Sequence, residues 1–348
     1  MAGSEKRHSV GRDQAQSPFF VGVDLGGTNI KIGLVDDRGR ALAYHTTPTK
    51  VNNGPEKGAD RMGEGVREVV TKAGLQADQV QGVGLATPGT MDIPAGMLLD
   101  PHNLPGWQDF PIRDRVSHHC GYAVTFQNDA NAAAYGEYWV GIGREYNSMV
   151  FLTLGTGVGG GIIIGDMLIS GEHSHGAEVG HIIIDYHEDA REGPPGFCGR
   201  LEPYASATGL INRTREALAA SDDSALQGKV ADGAELTPIL IGEAAAAGDT
   251  LAHRLIMDTA AYLGVGIVSL MHVIDPDVVV LGGAMNFGGP EKPLGREFLA
   301  RVKQEIDKRA FPIPAERTEL AFASLGGDAG YIGAAGLARR DYNQAQKH

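Results

Sequence analysis

The chain has 348 residues, enough for two domains that each bury a core, and its 42% hydrophobic and 21% charged residues exclude a disordered or fibrous polymer. A formal net charge of −13 argues against a general affinity for nucleic acid or an anionic membrane surface, so an anionic ligand needs a local pocket. Two cysteines, Cys120 and Cys198, are too few for a disulfide scaffold and fit a reducing, cytoplasmic setting.

Residues 1–17 are polar, lack the apolar stretch of a signal peptide and read as a disordered tail. Val21 to Asp24 then form a predicted strand, Gly26, Gly27 and Thr28 a tight corner, and Ile30, Ile32 and Leu34 alternate with Asn29, Lys31 and Gly33 as a second strand. VQGVGLATPGTMD is a strand ending in a Pro/Gly loop that carries Gly89. AVTFQNDANAAAYGEYWVG is a strand running into an alanine-rich helix, with Asn128 and Asp129 at the junction, where active-site groups are commonly presented.

MVFLTLGTGVGGGIIIGDMLISG repeats the opening plan, and LGTGVGGGIII superposes on LGGTNIKIGLV without a gap. An internal duplication accounts for this; chance recurrence of glycine-rich hairpins is the alternative. Past residue 205 helical patterns dominate, among them LAHRLIMDTAAYLGVGIVSLMHVI, whose internal His, Arg and Asp mark a buried core helix rather than a membrane span. DPDVVVLGGAMN is a buried strand that delivers Gly282 and Gly283, and AGYIGAAGLARR reads as a helix. Strands alternating with helices imply an α/β class with partly parallel sheets.

A glycine corner alone is weak evidence, because any tight hairpin favours glycine. In DLGGT, however, backbone N–H groups unobstructed by side chains can cradle phosphate oxygens, Thr28 adds a hydroxyl, and Asp24 stands where a phosphate-bound Mg²⁺ would sit. Gly155, Thr156 and Gly157 offer the same donors without the carboxylate, as a second clamp on one polyphosphate. Neither corner is a GxxxxGKS loop or a GxGxxG entering a helix.

With DLGGTNIKIGLVD, GLATPGTMD, FQNDANAAAYGE, LGTGVGGGII, GAEVGH, LEPYAS and VVLGGAMN in this order from residue 21 to about 333, the chain resembles the ROK family of sugar kinases, and among them the bacterial ATP-dependent glucokinases. The resemblance implies duplicated actin-like (ribonuclease H-like) α/β domains with mixed sheets around a cleft. The expected division is 18–130 plus 333–348 and 131–332. It implies ATP and Mg²⁺, with Asp129 as general base toward the sugar hydroxyl. Asn128, Glu178, His181 and Glu202 become sugar ligands, with Gly89 lining the same pocket, and Gly282 and Gly283 let adenosine lie against the backbone. Each has a plainer reading as a helix cap, loop hydrogen bond or strand exit, most readily Glu202.

The expected activity is ATP-dependent phosphorylation of glucose at its 6-hydroxyl. Fructose, mannose, allose, N-acetylglucosamine or N-acetylmannosamine are alternative acceptors, and polyphosphate is an alternative donor. Sugar-responsive repressors also occur in the family, but they carry a helix-turn-helix module before the kinase-like part, for which this polar N-terminal stretch leaves no room. No nucleic-acid or membrane partner is expected, and a homodimer or homotetramer is. Many relatives bind structural zinc through the GH-motif histidine and three cysteines of a CxCGxxGC loop. Here the loop between His181 and Leu201 holds one cysteine, Cys198, so the zinc site reads as lost, with Pro194, Pro195 and packing holding the loop instead.

Overall fold

A computed structural model describes residues 10–193, 196–220 and 223–347. The chain divides into two compact units, the first made of Met1–Glu145, Met167–Ala177 and Leu325–His348, the second of Tyr146–Asp166 and Glu178–Ser324.

The first unit is built on a mixed sheet of β1 (Phe19–Leu25), β2 (Asn29–Val35), β3 (Ala41–Pro48), β4 (Val80–Thr87) and β5 (Val124–Asn128), in the order β3-β2-β1-β4-β5. β1 runs antiparallel to β2, with Asp24 opposite Lys31, and parallel to β4, which in turn pairs in parallel with β5 so that Thr87 lies opposite Asn128. One sheet face packs on the helices Pro55–Lys72 and Ile112–Cys120 through Val21, Val23, Ile30, Ile32, Met62, Val66 and Trp107. Each such side chain removed from water contributes roughly 1.5–3 kcal/mol.

The other face is covered by the helix Ala329–Ala345. It lies directly on the strand backbones because Gly22 and Gly84 carry no side chain: a Cβ at either would collide with the carbonyl of Tyr331 or Ala334. The same helix meets the helix Asp129–Trp139, where Gly333 lies against the Ala132 carbonyl and Gly136 against that of Ala329. That contact keeps Asp129–Trp139 in the first unit. The first unit therefore runs on to Glu145 and takes the chain back at Met167–Ala177 and from Leu325, where the expected division stood at 130 and 333.

Of the expected tail, residues 1–9 lie outside the described residues, whereas residues 10–17 are tied to the unit. Val10 N–H donates to the Ala41 carbonyl (2.9 Å), Gln16 N–H to Asp36 Oδ2 (3.1 Å) and Asp37 N–H to the Gln16 carbonyl (2.9 Å).

The second unit repeats the plan with β6 (Ser148–Leu154), β7 (Val158–Ile164), β8 (Val278–Gly282) and β9 (Glu319–Phe322), in the order β7-β6-β8-β9. Again the first pair is antiparallel and the next two are parallel. The helix Thr250–Ile274 begins at Asp249, whose Oδ1 accepts from Ala252 N–H (2.9 Å), and ends at Asp275 in the left-handed region. It is long and apolar enough to cross a membrane, yet Leu255, Ile256, Leu263, Ile267 and Met271 are buried within this unit, as a core helix requires.

Candidate active site

In the first unit the corner between β1 and β2 is closed by Gly26 N–H donating to the Asn29 carbonyl (3.0 Å). Thr49, fully buried, pins it from β3's end: its hydroxyl donates to the Gly26 carbonyl (2.6 Å) and its N–H to the Thr28 carbonyl (2.8 Å). One of the expected phosphate donors, the Gly26 amide, is thus spent inside the turn. The amides of Gly27 and Thr28 make no hydrogen bond among the described residues and remain available.

Asp24 leads into this corner and packs against Gly330 in the first turn of the helix Ala329–Ala345. Burial, with the negative charge of Asp129 adding to it and Lys31 opposing, pushes its carboxyl up to about 6. Two carboxylates close enough to disturb each other favour a bound cation or proton between the pair's charges.

Asn128 ends β5 and Asp129 opens the following helix. The cap is Asn128: its Oδ1 accepts from Ala130 N–H (2.9 Å) and Asn131 N–H (3.2 Å), which leaves its amide nitrogen for a ligand, while Asp129 Oδ1 shares the Ala130 N–H (2.8 Å). Gln127 fixes Asn128 in turn, accepting from its backbone N–H at Oε1 (2.8 Å) and donating to Ser170 Oγ (2.9 Å). Asp129 occupies the first helical position, at the positive end of the helix dipole. Gly89, at φ +92 and tight against Pro101, holds a conformation that a side chain would strain.

In the second unit Gly155 N–H donates to the Gly157 carbonyl (3.0 Å), so this corner too spends its first glycine on closing itself. It is braced from three sides. Glu202 Oε2 accepts from Val158 N–H (2.9 Å), the Gly155 carbonyl accepts from Ala207 N–H (2.9 Å), and the Thr208 hydroxyl donates to the Thr156 carbonyl (2.8 Å). Gly283, at φ +89, lies so close to Leu154 that a Cβ would collide with its backbone, and Met285 N–H donates to the Leu154 carbonyl (3.1 Å). Beyond this turn opens a cavity of about 760 Å³ lined by Gly242, Ala245, Ala284, Asn286, Phe287 and Lys292, of a size that takes a drug-like or nucleoside ligand. Sequence reasoning missed it, although it follows directly on Gly282 and Gly283.

Glu178 precedes the short turn Val179–His181 and His181 ends it, with His181 Nε2 3.8 Å from Glu178 Oε2. The loop that follows is fastened by polar contacts. Ile184 and Asp185 N–H both donate to the Gly199 carbonyl (2.8 and 3.1 Å), the Tyr204 hydroxyl donates to Asp185 Oδ2 (2.7 Å) and accepts from Arg191 N–H (2.8 Å), and Arg191 forks onto Glu216. Burial and the Asp185 bond push the Tyr204 hydroxyl up to about 12. Pro194 and Pro195, expected to hold the loop, lie outside the described residues. Among the described residues no three His, Cys, Asp or Glu side chains gather as a metal-ligand set, and Cys198 is exposed.

The sequence matches the ROK family over residues 20–341. The chain belongs to the ROK family. This ROK protein is 31% identical to a glucokinase of Halalkalibacterium halodurans over 332 residues, 94% of this chain and 97% of the relative. It is also 29% identical to a xylose repressor of Caldicellulosiruptor bescii, covering 84% of this chain and 71% of that protein. Among solved structures it resembles a ROK hexokinase from Thermus thermophilus (TM-score 0.79, 32% identity, 94% of this chain and 99% of the other). A ROK family glucokinase from Streptomyces griseus in complex with glucose and AMPPNP is similar as well (TM-score 0.73, 32% identity, 92% and 99%). The two sheets of this ROK chain, alike in order and direction over the strands they share, are those of the duplicated actin-like α/β fold.

Proposed function

We propose that this ROK protein transfers the γ-phosphoryl group of ATP to the 6-hydroxyl of glucose. A phosphotransferase acting on a sugar alcohol is the activity named for the glucokinases it matches nearly end to end, and the enzyme is of that class. The observation that carries the residue assignment is the coupled pair Asp24 and Asp129 beside a corner whose Gly27 and Thr28 amides are open.

Asp129 accepts the proton of the sugar hydroxyl as its oxygen bonds to the γ-phosphorus, and the bond to the β,γ-bridging oxygen breaks with its electrons leaving on ADP. Asn128, held by Gln127, offers its amide N–H groups to the sugar, Gly89 shapes the adjoining backbone, and Glu178, His181 and Glu202 supply further acceptors and a donor. The backbones of Gly27 and Thr28, and those of Thr156 and Gly157, each bind phosphate oxygens. The cavity past Gly282 and Gly283 accepts the adenosine, with Phe287 as an apolar wall. Asp24 would hold the Mg²⁺ that arrives with ATP, a fit supported by its carboxyl being raised beside a second carboxylate. That ion would supply neutralisation of phosphate charge. Activity in the cytoplasm, as a homodimer or homotetramer, completes the reading.

A coupled assay across glucose, mannose, fructose, allose and the N-acetylated hexosamines, with ATP or polyphosphate, tests it. Glucose with Mg-ATP is expected to give the highest kcat/KM. Negligible turnover of glucose, or operator-type DNA binding in a gel shift without turnover of any sugar, would overturn the proposal in favour of another acceptor or of the regulator reading that the xylose repressor suggests.

A further inference from the structure

His181 is read above as a sugar ligand, but an imidazole can present either a donor or an acceptor at each nitrogen, and a sugar hydroxyl is recognised differently by the two. In the structure one nitrogen is already committed. Arg200 Nη1 lies 3.0 Å from His181 Nδ1. A guanidinium has five N–H donors and no acceptor, so Nδ1 can share this bond only through its lone pair. The ring proton then belongs on Nε2.

Arg200 reaches that position because of how the loop closes on itself. Ile183 and Arg200 form an isolated antiparallel bridge, and Leu201 N–H donates to the Ile182 carbonyl (2.9 Å), which sets the Arg200 backbone beside the chain leaving His181. The guanidinium is stacked over the Phe197 ring, its carbon 3.5 Å from the ring centroid, and this contact orients the fork toward the imidazole. Phe197 itself is steadied by the two-stranded pairing of Phe197–Cys198 with Glu192–Gly193.

On its other side His181 Nε2 stands 3.8 Å from Glu178 Oε2, too far for a strong mutual hydrogen bond, and both side chains keep over two-fifths of their surface exposed. A hydroxyl oxygen placed at these two groups accepts from Nε2–H and donates to the carboxylate. One sugar hydroxyl thereby satisfies a donor and an acceptor at once. The opposite tautomer would set two acceptors side by side, and the hydroxyl, with one proton, could serve only one of them.

We infer that Arg200 is a positioning residue for sugar recognition: its bond to Nδ1 holds His181 in the Nε2–H tautomer, so that His181 and Glu178 form a donor–acceptor pair for a single sugar hydroxyl. The inference rests on the proposed sugar-binding role of His181. Lysine at position 200 also donates without accepting and preserves the tautomer if it reaches, whereas alanine releases it.

The test combines imidazole ¹⁵N spectroscopy of the whole protein with kinetics. His181 is assigned by loss of its signals in His181→Gln. Two-bond correlations are expected to show protonated Nε2 and lone-pair Nδ1 in the wild type and in Arg200→Lys, and a mixture of forms in Arg200→Ala. Arg200→Ala should raise the sugar KM about three- to tenfold, the scale of one hydrogen bond, with kcat and the ATP KM nearly unchanged and with Arg200→Lys restoring most of the loss. An Nδ1–H wild type, or an Arg200→Ala protein with the same tautomer and sugar KM as wild type, overturns the inference. If His181→Gln leaves the sugar KM unchanged, the sugar-ligand reading of His181 fails, whatever its tautomer.

Discussion

The two glycine corners are the same hairpin made twice, and they handle negative charge in opposite ways. The first carries its own carboxylate, Asp24, on the strand that enters it, and is pinned by the uncharged Thr49. The second has no carboxylate in its strand and borrows Glu202 from 44 residues further along, where the side chain is tied to the Val158 amide. Duplication copied the turn and the sheet order. Charge was left to each copy's surroundings, so one corner can favour a metal-bound phosphate while in the other the carboxylate braces the backbone. In the proposed reading the carboxylate serves the ligand at the first corner and the backbone at the second, whose amides still face phosphate.

The largest effect belongs beside the first corner. Asp129→Asn should lower kcat by about 10² to 10⁴ while calorimetry still detects sugar binding, because the oxygen that takes the proton is lost but the helix start is not. Near-normal turnover would remove Asp129 from that role. Asp24→Asn should cost activity yet add stability at neutral pH. Its carboxyl is raised from 3.8 to about 6 on folding, so its favourable contribution is complete below pH 3.8 and is lost as pH rises through about 6. Urea melts should therefore find the variant more stable than wild type by up to about 3 kcal/mol at pH 7.5, the difference vanishing toward pH 4. A wild type that gains on the variant as pH rises would reverse the assigned sign.

At the second corner the effects should be structural first. Gly283→Ala places a Cβ against Leu154 at a positive φ and should destabilise the protein by roughly 1–3 kcal/mol, read from the denaturation midpoint. Glu202→Ala should release Val158 and raise the ATP KM about tenfold, the scale of one charge-assisted hydrogen bond. Were only the sugar KM to move, Glu202 would serve the sugar alone and not the corner.

Local features of this design could be read in the sequence. The α/β class, the repeated strand–corner–strand plan and the junction of strand and helix at Asn128 and Asp129 depend on neighbours within a few residues, and glycine, alternation and cap chemistry record them. What escaped depends on partners distant in sequence. Thr49 reaches Gly26, Glu202 reaches Val158 and Arg200 reaches His181 from 23, 44 and 19 residues away, and no period or spacing announces those contacts. The helix contact that holds Asp129–Trp139 in the first unit is of the same kind. Nothing within Asp129–Trp139 says that its Gly136 will rest on Ala329. The loop after His181 reads as stripped of thiolates, but its Asp185–Tyr204–Arg191 fastening appears only once the chain is folded.

In the proposed reaction a phosphoryl group passes to a sugar hydroxyl while Asp129 takes the proton. Phosphorus NMR of glucose incubated with Mg-ATP and the enzyme tests it most directly, with Asp129→Asn alongside. A sugar 6-phosphate signal should grow in step with ADP in the wild type and be suppressed in the variant. Formation of ADP and inorganic phosphate with the sugar unmodified, or equal product from both proteins, would contradict it.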